Sequence, residues 1–534
     1  MEKVLEMGKT SATGSFKMLV GVVTSTVIMA VGSVILIGLM PEADYGLYGV
    51  ALTPSLMINL FRDWGVNSAM TRYVANLRAA GKQTETRDII VAGLIFEVVM
   101  GLTLSFFSLF IAGFIASVIF HRPESTFLIS IVSATILSGS LLTVAQSVFI
   151  GYERMGLNSL TTICQAIVKA LAGPVLVILG YGVLGAAVGY TLSFVAAGAI
   201  GMVTLYVALL KPLRKRGTHK SDISKTLKAM LKYGVPLSIS SLLSGVLLQF
   251  YSFMLVANAS DPVIGNYQAA LNFSVLLSFF TIPISTVLFP AFSKIDPHQE
   301  RDLLRGVFAS SVKYTALVLV PATMALMILA RPMISTLFRE RYASAPFFLT
   351  LYIVSNLFAI AGSQSVGSFL AGVGETKMPM KQSILTLTIG LPLAFILIPT
   401  FGVTGVILAI ISAGLPSMFW GLYFVWKRYK VKADFRSSIK ILAASTIAAA
   451  VTYASLDFIY LAAWIRLVVG LMIFLAAYVF TAPMIGAITQ SEIDNLRTVL
   501  SGLGVISKIV NIPLLLIEKV SRMRMQNKKN THSN

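Results

Sequence analysis

Fourteen stretches of this chain are apolar for long enough to cross a lipid bilayer, and that repetition limits the possible folds more than anything else in it. A spanning helix needs about 20 mainly apolar residues, because it rises ~1.5 Å per residue through ~30 Å of hydrocarbon. The segments are 17–40, 45–62, 89–119, 125–150, 160–180, 183–210, 233–257, 265–290, 311–330, 345–370, 382–399, 403–426, 438–459 and 462–484. Glycines fall inside them, as do Pro174, Pro236 and Pro283. Spanning helices tolerate both when neighbours satisfy the freed backbone groups. A transmembrane barrel would show alternating segments of about ten residues instead. Charged residues are only 12% of the 534, and the mean hydropathy is +0.83. A soluble domain carries about 25% charged residues, so a water-soluble surface is excluded. The expected class is an all-α polytopic membrane protein of about 14 transmembrane helices. Cys164 is the single cysteine, so no intrachain disulfide can form. The first apolar run follows Lys3, Lys9 and Lys17. It is too long for a signal peptide, lacks a clear small-x-small cleavage site, and reads as a retained helix.

The formal charge of +20 would suggest nucleic acid in a soluble protein. Here its placement explains it. Counting alternate loops from the N-terminus puts 36 of the 42 basic residues on one side, eight of them in the 211–232 linker. The other side holds Arg122, Arg331, Arg339 and Arg341, while Lys169 and Arg466 lie inside helices. Basic residues collect in inner loops, so a multi-pass protein of the cytoplasmic membrane with both termini in the cytoplasm is expected, and no nucleic-acid partner. Some of the charge can also meet anionic lipid headgroups, so membrane lipids are partners.

The two halves resemble each other at an offset near 220. "SATG" (11–14) faces "LKYG" (231–234), and "PEADYGLYGVAL" (41–52) faces "DPVIGNYQAAL" (261–271), with Gly46 on Gly265 and Tyr48 on Tyr267. "GYERMG" (151–156) faces "GVGETK" (372–377), and "YGVLGAAVG" (181–189) faces "FGVTGVILA" (401–409). A six-helix repeat is even-numbered, so its copies are parallel and related by an axis along the membrane normal. Two such bundles can face each other across a V-shaped cavity and rock to give alternating access. The expected organisation is an N-terminal bundle at 1–210, a basic cytoplasmic crossover at 211–232, a C-terminal bundle at 233–426, helices 13 and 14 at 427–484, and a cytoplasmic tail at 485–534 with an amphipathic interfacial helix near 500–520 before a disordered end.

No P-loop, no HExxH and no cluster of metal ligands occurs, so neither catalytic residues nor a cofactor are expected. Ionisable residues inside spans are costly and mark function by default. Glu97 and Lys169 fall near mid-depth of their helices. They are either a structural ion pair between neighbouring helices or a cavity lining. In a cavity, Lys169 would suit an anionic substrate and Glu97 would suit coupling to H⁺ or Na⁺. Arg62 and Asp63 sit at the inner end of the second span, and Gly65 is placed to break it. Pro283 lies one position before the counterpart of Gly65, so the two are hinge or gate candidates. The competing reading is a helix end carrying a charge pair at the headgroups. Arg72 is either an inner-surface anchor or a phosphate contact. Asn59, Asn67, Gln146, Gln165, Gln249, Asn258, Gln268, Asn272, Asn356 and Gln364 are candidate pathway walls, although most such residues simply bond across helices.

The stretch 38–82 carries Pro41, Glu42, Tyr45, Gly46 and Tyr48, then Asp63 and Gly65, then Thr71, Arg72 and Tyr73. This pattern resembles the polysaccharide-type flippases of the multidrug/oligosaccharidyl-lipid/polysaccharide exporter superfamily, and "GVGETKMPM" and the GVxG turns support it. The resemblance covers roughly 1–485. It implies a MATE-like pair of bundles that moves a polyprenyl-pyrophosphate-linked oligosaccharide or polysaccharide precursor across the membrane. It also implies a cationic cavity for the pyrophosphate, glycan-assembly enzymes as partners, and a monomer. The second hypothesis is an H⁺- or Na⁺-coupled multidrug exporter of the same fold, which the scarcity of acidic residues inside spans disfavours. The third is a membrane-embedded polymerase or scaffold, which the short outer loops disfavour.

Overall fold

The computed structural model describes residues 2–214 and 222–488, apart from positions 298, 376, 433 and 460, together with Glu518. The amphipathic helix expected near 500–520, Glu518 apart, and the disordered end expected after it lie outside the described residues. Among the described residues every regular element is helical. The first half holds α1 (Glu2–Leu39), α2 (Glu42–Asn59), α3 (Val66–Ala79), α4 (Gln83–Phe114), α5 (Thr126–Gly151), α6 (Met155–Leu176), α7 (Gly182–Leu205) and the short α8 (Lys211–Arg214). The second half holds α9 (Ile223–Asn258), α10 (Asp261–Ser274), α11 (Ser278–Ser293), α12 (Arg301–Phe338), α13 (Ala345–Ile353), α14 (Ser363–Gly372), α15 (Lys377–Tyr429), α16 (Phe435–Asp457) and α17 (Ala463–Ile485).

Among the described residues, 10 helical runs are long and apolar enough to cross a membrane, or 11 if the bent pair α13–α14 counts as one span. Eleven rather than fourteen runs result because two pairs of expected spans merge and the span expected at 45–62, observed as α2, is not among them. Helices expected at 160–180 and 183–210 merge into one run, Met155–Leu213, and those at 382–399 and 403–426 merge into α15. Each run keeps a non-helical glycine where the division was expected, Gly180 and Gly402. The stretch at 62–87, read as a loop, contains the 14-residue helix α3. Its polar face hid it from a search for apolar runs.

Large apolar side chains point outward. Phe110 is 88% exposed and Ile178 68%, where a water-soluble helix would carry charge. The buried face of α5 includes a run of small residues, Ser133, Ser138, Gly139, Ser140 and Ser147. Small residues let backbones approach closely when no hydrophobic drive separates helix from lipid.

The chain forms two compact units. One comprises Met1–Asn272 with Ser383–Ala413, the other Phe273–Gln382 with Gly414–Asn534. In the first unit α9 and α10 join the N-terminal helices through two backbone contacts. A Cβ on Gly65, whose φ is +80°, would collide with the Gly234 carbonyl, and one on Gly234 would collide with that of Gly65. At the other end of α2, a Cβ on Gly46 would strike Asp261 O and one on Gly265 would strike Glu42 O. The second contact is reciprocal, each glycine meeting the carbonyl four residues before the other. The same unit brings together Thr71 with the Ser147 carbonyl (3.0 Å), Arg78 with Glu153 (3.5 Å) and Arg72 with the Tyr233 ring (4.3 Å).

The second unit is centred on an aromatic cluster. Phe369 meets Phe292, Phe308 and Tyr429 at centroid distances of 5.3, 5.4 and 5.3 Å. Tyr429 Oη donates to Glu375 at 2.8 Å, and Arg428 pairs with the same carboxylate at 3.0 Å. Asp434 opens α16 as its N-cap, accepting from Ser437 N at 3.3 Å and Ser437 Oγ at 2.6 Å. That satisfies a backbone donor left over at the helix start.

Candidate functional site

The break after α2 builds the site. The helix ends at Asn59, the chain turns through Leu60–Trp64, and Gly65 in the left-handed region starts α3. Asp63 stays half-buried and accepts from Asn67 N at 3.3 Å, which anchors the new helix. The turn drives Arg62 inward, where it is only 6% exposed, against Glu97 at 0% on α4. Arg62 Nε lies 3.4 Å from Glu97 Oε2. This is an ion pair without hydrogen-bond geometry. Arg62 Nε, Arg62 Nη1 and Glu97 Oε2 have no hydrogen-bond partner among the described residues. The other carboxylate oxygen accepts from Asn67 Nδ2 at 2.6 Å, and Asn67 Oδ1 in turn accepts from Ser147 Oγ at 3.4 Å. Gly139 leaves room for the guanidinium, since a Cβ there would stand 3.2 Å from Arg62 Nη1.

Lys169 does not pair with Glu97. The partner of Glu97 is instead Arg62, which the turn at 60–65 points inward. Lys169 is half-buried on α6, with Nζ 5.2 Å from the Tyr190 ring centroid. No carboxylate among the described residues pairs with it. Aromatic contacts link it to the rest of the site. Tyr190 meets Phe194 at 5.2 Å and Tyr48 at 6.4 Å, and Tyr48 meets Tyr45 at 5.8 Å. Phe194 also borders Gly139, beside the Arg62 guanidinium. Asn272 Nδ2 donates to Tyr45 Oη at 3.0 Å, and Gln268 lies over Gly49. Arg62, Glu97, Lys169, Gln268 and Asn272, singled out separately in the sequence, therefore fall on one connected row of polar and aromatic side chains.

Other candidates lie apart from that row. Arg72 is exposed and stacks on Tyr233. Gln249 is half-buried on α9, and no described residue hydrogen-bonds it. Helix α11 runs through Pro283, and the irregular backbone nearest it is the 3₁₀ turn Val275–Leu277 upstream. Among the described residues no group of acidic, Cys or His side chains could hold a metal. Sequence reasoning missed Tyr190 and Gly139, because a tyrosine or a glycine in an apolar run carries no local signal of what it faces. Asn67 was legible only as one of many polar residues.

The family model described as "Polysaccharide biosynthesis protein" matches residues 11–296, more than half of the chain. The chain belongs to the polysaccharide biosynthesis protein family. Stage V sporulation protein B of Bacillus subtilis is 22% identical over 408 residues, covering 72% of this chain and 77% of the relative. The probable low-salt glycan biosynthesis flippase Agl15 of Haloferax volcanii is 20% identical over 360 residues, covering 66% and 72%. Among solved structures, the lipid II flippase MurJ in an inward closed conformation superposes with a TM-score of 0.70 at 16% identity, covering 87% of this chain and 97% of that one. That likeness shows the fold, an all-helical one with 10 or 11 candidate membrane spans among the described residues.

Proposed function

We propose that this protein moves a lipid-linked oligosaccharide or polysaccharide precursor, carried on a polyprenyl pyrophosphate, across the cytoplasmic membrane by alternating access. The observation that carries the reading is the row from the buried Arg62–Glu97 pair to half-buried Lys169 in a member of this family. A guanidinium and an ammonium sunk among apolar helices cost several kcal/mol to desolvate, on the order of what a good salt bridge returns. A loose pair with unused donors contributes little to stability and much to anion recognition. Arg62 and Lys169 are the groups proposed to meet the pyrophosphate, with Gln268 and Asn272 beside them for sugar hydroxyls. Glu97 is the proposed site for H⁺ or Na⁺ coupling. Gly65 is proposed as the hinge of an inner gate and Pro283 as its second-half counterpart, while Arg72 is proposed as an inner-surface anchor.

The same proposal includes fourteen spans in two parallel six-helix repeats, 1–210 and 233–426, with helices 13 and 14 at 427–484. Backbone conformation supports it. Gly182 and Gly402, 220 positions apart, have φ/ψ of 49°/−132° and 56°/−127°. Glu153 and Gly374, at an offset of 221, both have positive φ, and the hydrogen bonds Arg154 N→Phe149 O and Glu375 N→Leu370 O close the same turn at 2.8 Å. Runs of 59 and 53 residues are each well over twice what one crossing needs, which favours dividing both at their glycines. Both termini are proposed to be cytoplasmic and the protein to act as a monomer alongside glycan-assembly enzymes.

The test is reconstitution into liposomes with a labelled polyprenyl-pyrophosphate oligosaccharide. Lys169→Ala is expected to slow transfer between leaflets about tenfold while leaving the melting temperature within a few degrees. An unchanged rate would remove Lys169 from the pathway.

A further inference from the structure

Arg122 was legible in the sequence only as one of four basic residues on the outer side. The structure gives it a richer setting. Helix α4 runs into a π turn, Ile115–Ile119, and His121 then takes φ +56°. Both are uncommon backbone states, and a non-glycine residue at positive φ is strained. Together they aim Arg122 at the C-terminal end of α9. Arg122 Nε donates to Asp261 Oδ1 at 2.5 Å, Nη2 to Ala259 O at 2.5 Å, and Nη1 to Val256 O at 2.9 Å and to Phe120 O at 2.9 Å. The side chain is 12% exposed and Asp261 24%. A cation placed on the last carbonyls of a helix also meets the negative end of its dipole. One turn away lies the reciprocal seam of Gly46 and Gly265, reinforced by Asn266 Nδ2 donating to Glu42 Oε2 at 2.7 Å. At the two glycines the seam is backbone against backbone. Behind it Tyr45 and Tyr48 are buried, and half-buried Asn272 donates to Tyr45 Oη.

We propose that Arg122 is the latch of the outer gate. Held on Asp261 and the end of α9, it keeps the Gly46–Gly265 seam shut; released, it lets α10 part from α2 and opens the tyrosine-lined row to the outside. Arg122 is a positioning residue, since it touches no substrate in the closed seam. Naming the outer side rests on the proposed topology, but the latch can be tested without any substrate.

The reporter is Ala269→Cys in a Cys164→Ala background. Ala269 is fully buried and one turn from Gly265 on the same face of α10. Right-side-out membrane vesicles are treated with a membrane-impermeant maleimide. With Arg122 intact, labelling is slow. Arg122→Gln is expected to raise the rate about tenfold or more from the outside only, with Arg122→Lys intermediate because it keeps the charge but not the fork of donors. No rise, or an equal rise in inside-out vesicles, would overturn the latch. Should Arg122→Gln fail to fold, Asp261→Asn decides: it leaves the helix-end bonds in place and is expected to raise outside labelling by about threefold, and no rise there overturns the proposal. A latch that responds in a protein that moves no lipid-linked sugar would leave this inference standing and sink the transport reading alone.

Discussion

Arg62 and Glu97 face each other at 3.4 Å with atoms to spare, and removing one is physically different from removing both. Truncating one partner leaves a charge uncompensated among apolar helices, which costs about 3–5 kcal/mol, whereas replacing both by apolar residues is often neutral. Arg62→Leu is therefore expected to destabilise strongly, and Arg62→Leu/Glu97→Leu to recover most of the loss, measured as unfolding in detergent. Equal losses for the single and double variants would show that the two do not act as a pair. At the surface, the Ser437 hydroxyl holds the Asp434 carboxyl below its ordinary value. A depressed carboxylate stabilises above its unfolded value and stops doing so as pH falls through the folded one. Asp434→Ala should cost about 1 kcal/mol near neutral pH, and the difference from the parent protein should vanish in acid. Arg62, Glu97 and Lys169 were legible because a charge in an apolar run is anomalous wherever it occurs. Which of them paired was not, because that depends on the turn at 60–65.

At the scale of elements, glycines do two separable jobs, and two substitutions distinguish them. Nothing lies within 4 Å of a Cβ built on either Gly306 or Gly402, yet only Gly402 has a positive φ of 56°. Gly402→Ala should destabilise by about 1–2 kcal/mol through backbone strain alone. Gly306→Ala, exposed inside α12, should be neutral or stabilise by up to about 1 kcal/mol. Matching melting temperatures for the two would contradict the assignment. The breaks at Gly65, Gly180 and Gly402 were legible as glycines at the ends of apolar runs. Helix α3 was not, because a polar surface helix lacks the apolar run on which the search depended. The π turn after α4 was not either, because no residue type encodes it.

For the whole molecule, the chain's charge asymmetry predicts that reporter tags after residues 40, 215 and 435 fall outside, inside and inside; tags at 215 and 435 on opposite faces would break the parallel duplication. The compact units do not divide at the basic 211–232 crossover, since α9 and the start of α10 pack with the N-terminal helices. Packing in the first unit follows the close approaches at Gly65–Gly234 and Gly46–Gly265. The most direct measurement is transfer between leaflets in liposomes holding the purified protein, with a polyprenyl-pyrophosphate oligosaccharide and a cationic drug supplied side by side. The account predicts protein-dependent movement of the lipid-linked sugar, slowed in the Lys169→Ala variant, and no movement of the drug. Drug transport with the sugar lipid left in its original leaflet would contradict it.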